Sequence, residues 1–250
     1  MTDWLDTPQG RRLAYRRTPG HTGANFVWLT GFKSDIQGGK VTELEAWAKA
    51  SGHGFLAFDY SGHGESDGRF EDGTITHWHE DSLAALDALT DGPQILVGSS
   101  MGGWMALLAA RARATRVAGL ILLAPAPDFT SALMWPSLAP EAQEEILRDG
   151  VHLQPSDYGD PVPLTRALID SGAAHTVLDR PFAFDGPVRI LQGMQDPDVP
   201  WTHAQRLVET MTTPDLVFTL IKEGDHRLSR PVDIARLKAT CAELADYAGA

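Results

Sequence analysis

Residues 94–110 read QILVGSSMGGWMALLAA, and the other segments take their place from this one. Ile95, Leu96 and Val97 form a short apolar run bounded by turn residues, the pattern of a buried strand. Trp104 through Ala110 are strong helix formers that follow a glycine pair. Between them stands Gly98-Ser99-Ser100-Met101-Gly102, a G-x-S-x-G with Ser100 at its centre and Ser99 in the variable position. A serine held on a sharp strand-to-helix turn is a nucleophile elbow. The first unpaired N–H groups of the helix lie beneath it, and the helix dipole favours negative charge there. The pentapeptide alone also reads as an ordinary Gly/Ser turn; the strand before it and the helix after it favour the elbow.

Outward from the elbow, strands and helices alternate. Residues 12–18 read as an edge strand, 25–31 and 55–60 as buried strands, and 117–123 as another. Helices are expected at 41–50, with Leu44, Trp47 and Ala48 on one face, and at 74–89, with Ile75, Trp78, Ser82, Leu86 and Leu89 at helical spacing. After the elbow the alternation breaks from Asp128 to about Asp185, then resumes with a strand in PVRILQG, a helix at 201–211, a strand in LVFTLI and a last helix at 232–248. This rhythm implies an α/β fold: a mostly parallel sheet with helices on both faces. The expected division is a core of residues 1–127 and 186–250 with an inserted helical cap at 128–185. Within the cap, helical pieces are expected at 141–148 and 164–171, and Met134, Trp135, Leu138, Ile146, Leu147 and Val151 supply apolar surface. Some of these pack the cap onto the body and others face a ligand.

Composition narrows the function. Hydrophobic content of 43% and charged content of 22% are ordinary for a globular domain. A net charge of −12 argues against nucleic acid and anionic membrane surfaces as partners. Cys241 is the one cysteine, so neither an internal disulfide nor a cysteine metal cluster is expected. The opening MTDWLDTPQGRR has no leader pattern and no apolar run is long enough to span a bilayer, so a cytoplasmic protein without membrane insertion is expected.

A serine nucleophile needs a base, and the base an orienting acid. With the elbow first, acid and then histidine follow in chain order. His226 comes after LVFTLI and the turn KEGD, at the same sheet edge as the elbow; His203 lies inside a helix and reads as a packing residue. Asp196 and Asp198 both fall in MQDPDVP after a strand; Asp196 is favoured as the acid, with Asp198 as cap of the next helix. Asp225, adjacent to His226, reads as loop solvation. Two N–H donors are needed for an oxyanion. Met101 follows the nucleophile, and Phe32 follows Gly31 in the loop after residues 25–31. Other patterns carry less. His77 and His79 point different ways on a helix, so no metal is expected. Gly62-x-Gly64 leads into a loop and reads as a turn, so no dinucleotide is expected. Lys33 and Asp35 read as solvated loop or as contacts to a polar substrate.

The motifs GFKSD at 31–35, FDYSGHGESDG at 58–68, GPQILVGSSMGGW at 92–104, GMQDPDVPW at 193–201 and DHR at 225–227 resemble an α/β-hydrolase subfamily. It is the subfamily that contains the mitochondrial palmitoyl-protein thioesterase which also hydrolyses an acyl-glucuronide. The resemblance covers the chain outside the cap. It implies a bacterial serine hydrolase with Ser100, Asp196 and His226 as triad and Phe32 and Met101 as oxyanion donors. It implies no cofactor. The partners it implies are small-molecule esters or acyl thioesters, S-acylated proteins among them. Two departures stand out: from the opening residues no organelle-targeting extension like that of the animal members is expected, and Thr30 occupies the position before the oxyanion-loop glycine where many related hydrolases carry His. The expected chemistry is ester or thioester hydrolysis through an acyl-enzyme. Carbon–carbon or amide hydrolysis by the same triad, and a binding module without catalysis, are the alternatives.

Overall fold

The apolar runs that read as strands pair into one sheet because each can bury both faces. In the computed structural model, which describes residues 2–21, 23–155 and 160–248, eight strands form this sheet. They are β1 (Asp3–Asp6), β2 (Arg12–Thr18), β3 (Asn25–Leu29), β4 (Gly54–Phe58), β5 (Gln94–Ser99), β6 (Val117–Leu123), β10 (Val188–Gly193) and β12 (Leu216–Ile221). Their order is β1-β2-β4-β3-β5-β6-β10-β12. From β4 to β12 every pairing is parallel; β1 and β2 are antiparallel. The edge strand is β1, outside β2, where 12–18 was expected at the edge. Four residues with Asp at both ends give too little apolar pattern to read, and those charges suit an exposed edge. Arg12 stacks over the Trp4 ring at 4.3 Å.

Side chains alternate across the sheet, so β5 sends Leu96 into one core and Ile95 and Val97 into the other. The first core lies under α2 (Ile75–Leu89), α3 (Met101–Ala112) and α7 (Trp201–Thr210), through Leu86, Leu107 and Leu207. The second lies under α1 (Gly39–Ala50) and α8 (Pro231–Ala248), through Val41, Leu44, Leu237 and Leu244. Helices thus cover both faces, as a parallel sheet requires.

The chain leaves the sheet between β6 and β10. A π-helical turn, Thr130–Met134, leads into α4 (Trp135–Ser137) and α5 (Pro140–Asp149). A hairpin of β7 (Val151–Gln154) and β8 (Val162–Thr165) follows, then α6 (Arg166–Ala173). Residues 156–159 of the expected cap lie outside the described residues. The sequence reading missed the hairpin: Val162–Thr165 is a strand, so α6 opens at Arg166, with Thr165 as its N-cap accepting from Leu168 N at 3.1 Å. β9 (Phe182–Ala183) and β11 (Met211–Thr212) pair as a small ribbon beside the main sheet. Asp128 ties both ends of the insertion together, its carboxylate accepting from Val177 N and Leu178 N, each at 2.8 Å.

Candidate active site

Sheet order brings distant loops to one edge. β3 and β5 are neighbours, with Leu29 opposite Gly98, so the loop after β3 lies against the elbow after β5. The connections from these two strands run to opposite sides of the sheet, which opens a crevice at their carboxyl ends. β10 and β12 are also neighbours, with Gly193 opposite Ile221, so the loops carrying Asp196 and His226 emerge side by side.

The elbow is strained and tightly packed. Ser100 has φ 56° and ψ −118°, a backbone state that costs a residue with a Cβ about 1–3 kcal/mol. Its N–H is held by Leu123 O at 2.9 Å. Glycine at 98 and 102 is dictated by contact: a Cβ at Gly98 would collide with Gly102 O, and one at Gly102 with Leu29 O. Helix α3 can therefore start directly behind Ser100. Met101 is its first residue, so the Met101 N–H has no acceptor within the helix.

Ser100 Oγ–H donates to His226 Nε2 at 3.1 Å, and His226 Nδ1–H donates to Asp196 Oδ2 at 2.8 Å. Asp196 is buried, and its other oxygen accepts from Asp198 N at 2.9 Å and Val199 N at 2.8 Å. Gln192 Nε2 adds a fourth donor at 3.1 Å. The carboxylate thus sits in a fixed frame with one face left for the imidazole. Ser100, Asp196 and His226, which the sequence reading named, thus lie within hydrogen-bond reach of one another. Asp198 is exposed and does not cap α7: Pro200 is the N-cap and makes no side-chain bond. His203 packs inside, its Nε2 on Pro127 O at 2.8 Å. Asp225, although exposed, holds the histidine loop by accepting from Leu228 N at 2.9 Å.

Phe32 and Met101 line a cavity of about 820 Å³ together with Ser100 and His226. Its roof is the insertion: Leu133, Met134, Leu138 and Leu164, with Phe129 below. Trp135 and Leu147 are not part of that wall. Leu147 is 54% exposed, because the α5 face that packs inward presents Ala142 and Ile146 instead.

Two positioning residues went unread in the sequence. His63 is 3% exposed and its Nε2 accepts from Lys33 N at 3.1 Å, which holds the loop carrying Phe32. Burial pushes its imidazole down to about 4, so it stays neutral, as an acceptor at Nε2 requires. Lys33 itself has φ 55°, a further mark of a constrained loop. Lys40 Nζ donates to Ser99 Oγ at 3.0 Å and to Arg227 O at 2.6 Å, joining the elbow to the histidine loop. Burial lowers its ammonium to about 8 against the opposing pull of Asp225. The signal for Lys40 was a lysine in the first turn of a helix, where a cation meets the positive end of the dipole. Gly62 and Gly64 form a turn, as expected, both at positive φ.

Among the described residues, no helix is long and apolar enough to cross a membrane. Residues 19–237 match the sequence profile described as "Alpha/beta hydrolase family". The mouse protein named "Palmitoyl-protein thioesterase ABHD10, mitochondrial" is 38% identical over 245 residues, which span 97% of this chain and 82% of that protein. The human protein of the same name is 36% identical, spanning 97% and 79%. Among solved structures, a putative hydrolase from Agrobacterium vitis S4 superposes with TM-score 0.93 at 42% identity, covering 98% of each chain. Mouse alpha/beta hydrolase domain-containing protein 10 gives TM-score 0.90 at 36% identity, covering 99% of each. These relatives overturn the expectation of a cytoplasmic protein, since those named palmitoyl-protein thioesterase are called mitochondrial. Composition and fold carry no compartment address; a receptor reads that from a signal segment.

Proposed function

The chain belongs to the alpha/beta hydrolase family, and we propose that within it the protein is a serine thioesterase that removes acyl chains from S-acylated cysteine. The observation that carries this reading is the continuous relay from Asp196 through His226 to Ser100, opening on an apolar cavity of about 820 Å³. His226 Nε2 takes the Ser100 proton as Oγ attacks the thioester carbonyl. Asp196 keeps the proton on Nδ1 and stabilises the imidazolium that forms. The developing oxyanion is received by the N–H groups of Met101 and Phe32. The C–S bond then breaks, His226 returns its proton to sulfur, and a water activated by the same imidazole releases the acid from the acyl-enzyme. The acyl chain lies against Leu133, Met134 and Leu138, where each buried methylene contributes about 0.8 kcal/mol.

A series of straight-chain acyl thioesters and matching oxygen esters tests this. Catalytic efficiency should rise with chain length until the cavity is full and then fall, and a fluorophosphonate probe should label Ser100. A steady decline from acetyl upward, with Ser100 labelled, contradicts the acyl cavity and leaves a hydrolase of small or polar acyl groups.

A further inference from the structure

Ser100 and His226 follow β5 and β12, which stand apart in the sheet with β6 and β10 between them. The sheet's own hydrogen bonds therefore do not pair the two loops that carry the relay. A third element spans the gap. Lys40 stands in the first turn of α1, where the helix dipole opposes a cation and no acidic side chain in that turn offsets it. Stability of the helix alone does not call for a lysine there. Its ammonium donates to Ser99 Oγ at 3.0 Å and to Arg227 O at 2.6 Å. Ser99 precedes Ser100, and Arg227 follows His226. The lysine thus ties the residue before one reacting group to the residue after the other. With the Ser100 Oγ–His226 Nε2 bond of 3.1 Å, these contacts close a ring through the elbow and the histidine loop.

We propose that Lys40 is a positioning residue for the relay: its ammonium clamps the histidine loop to the elbow and so holds His226 within reach of the Ser100 proton. The inference rests on the reading of Ser100 as nucleophile and His226 as base, and adds to it what sets their separation. Asp196 orients the imidazole from the Nδ1 side, and Lys40 fixes the same loop from the elbow side. The relay bond is already long, and a misplacement of about one ångström can lower a rate about a hundredfold. A charged donor suits the task because its bonds are about twice as strong as neutral ones. Burial pushes the ammonium down to about 8, and Arg227 acts the same way. Asp225 on the histidine loop, Asp196 on the acid loop and Asp233 on α8 oppose them. The clamp is therefore at full strength below about pH 8 and weakens above it, where a neutral amine, the poorer donor, replaces the ammonium.

The test follows the rate of fluorophosphonate labelling at Ser100, and kcat and KM for an octanoyl thioester, from about pH 6 to about 9.5. Labelling needs the relay but no acyl recognition, so it reads the clamp whatever the natural substrate is. Lys40→Met, of similar length without a donor, should slow labelling and kcat together by about thirtyfold near pH 7 and leave KM within about twofold. The wild-type protein should lose about fivefold in both rates above about pH 8, a decline absent from Lys40→Met. Lys40→Arg, which keeps its charge throughout, should recover part of the lost rate and hold it to the alkaline end. A merely structural role would not move the alkaline decline. Wild-type rates in Lys40→Met, or the same alkaline decline in both proteins, overturn the clamp. If Lys40→Met does not fold, Ser99→Ala decides: removing one of the two acceptors should lower kcat about fivefold, and an unchanged kcat overturns the clamp. A wild-type protein that takes no label and turns over no ester or thioester refutes the relay itself, and the clamp falls with it.

Discussion

The carboxyl edge of the sheet and the segment inserted between β6 and β10 face the same cavity, but they present different surfaces to it. At the edge, the carboxylates that frame the loops are buried and held by several donors each. Asp196 collects donors from Gln192, Asp198, Val199 and His226, and Asp59 accepts from Ile36 N at 2.8 Å and Glu65 N at 3.0 Å. Hydrogen bonds are directional, so these loops have one geometry. The insertion is tied down by polar bonds too, at Asp128, Ser171 and His175, but it turns mainly apolar side chains, Leu133, Met134, Leu138 and Leu164, to the cavity, and it leaves Leu147 and Leu153 54% and 59% exposed. Apolar contact tolerates changes of side chain where directional bonds do not. The proposed function accordingly puts the reacting atoms on the sheet edge and the surface that measures the substrate on the insertion.

The largest expected effect breaks the edge. Asp196→Asn should lower kcat by about 10⁴, because an amide presents the imidazole in the wrong tautomer. Asp198→Asn, at an exposed side chain outside the relay, should cost less than about tenfold on the same substrate. Steady-state kinetics of the two variants decide this, and the reverse ranking would move the acid to Asp198.

A second expectation concerns how firmly the edge is locked. His63 titrates near 6.5 in an unfolded chain and at about 4 when folded. The folded value is depressed, so the stability from the neutral ring is present above pH 6.5 and is lost as pH falls toward 4. Between pH 7 and 5 this removes about 2 kcal/mol, roughly thirtyfold in the folding equilibrium. Other histidines that burial holds down, His79 among them, add to the loss, so urea unfolding at the two pH values should show a loss that is smaller in His63→Gln by about this amount. An equal loss in both proteins would mean that His63 does not set it.

The smallest effect concerns the insertion. Met134→Ala should flatten the rise of kcat/KM with acyl length, by about fourfold for each methylene contact removed, while fluorophosphonate labelling of Ser100 persists. Loss of labelling would show that the insertion also shapes the edge.

Much of the edge was legible without coordinates. G-x-S-x-G between strand and helix, a carboxylate after one strand and a histidine after another are local patterns whose chain order implies their meeting. The insertion was less legible. Its apolar residues sit on short pieces among prolines, so periodicity could say that Met134, Trp135, Leu138 and Leu147 are apolar but not where they point. Trp135 and Leu147 turned out to lie off the cavity wall. The hairpin of Val151–Gln154 and Val162–Thr165 was hidden because each strand has only four residues.

The sequence by itself determined the elements whose signal is local: the buried strands, the amphipathic helices, the elbow, and the order of serine, acid and histidine. The tertiary structure alone decided what depends on a partner far along the chain. It set Lys40 between Ser99 and Arg227 and put His63 under the loop of Phe32. A histidine within a turn carries no local mark of such a role, and a lysine at the positive end of a helix does not name its partners. Periodicity records which face of an element avoids water, whereas a hydrogen bond between loops exists only once the sheet has brought those loops together.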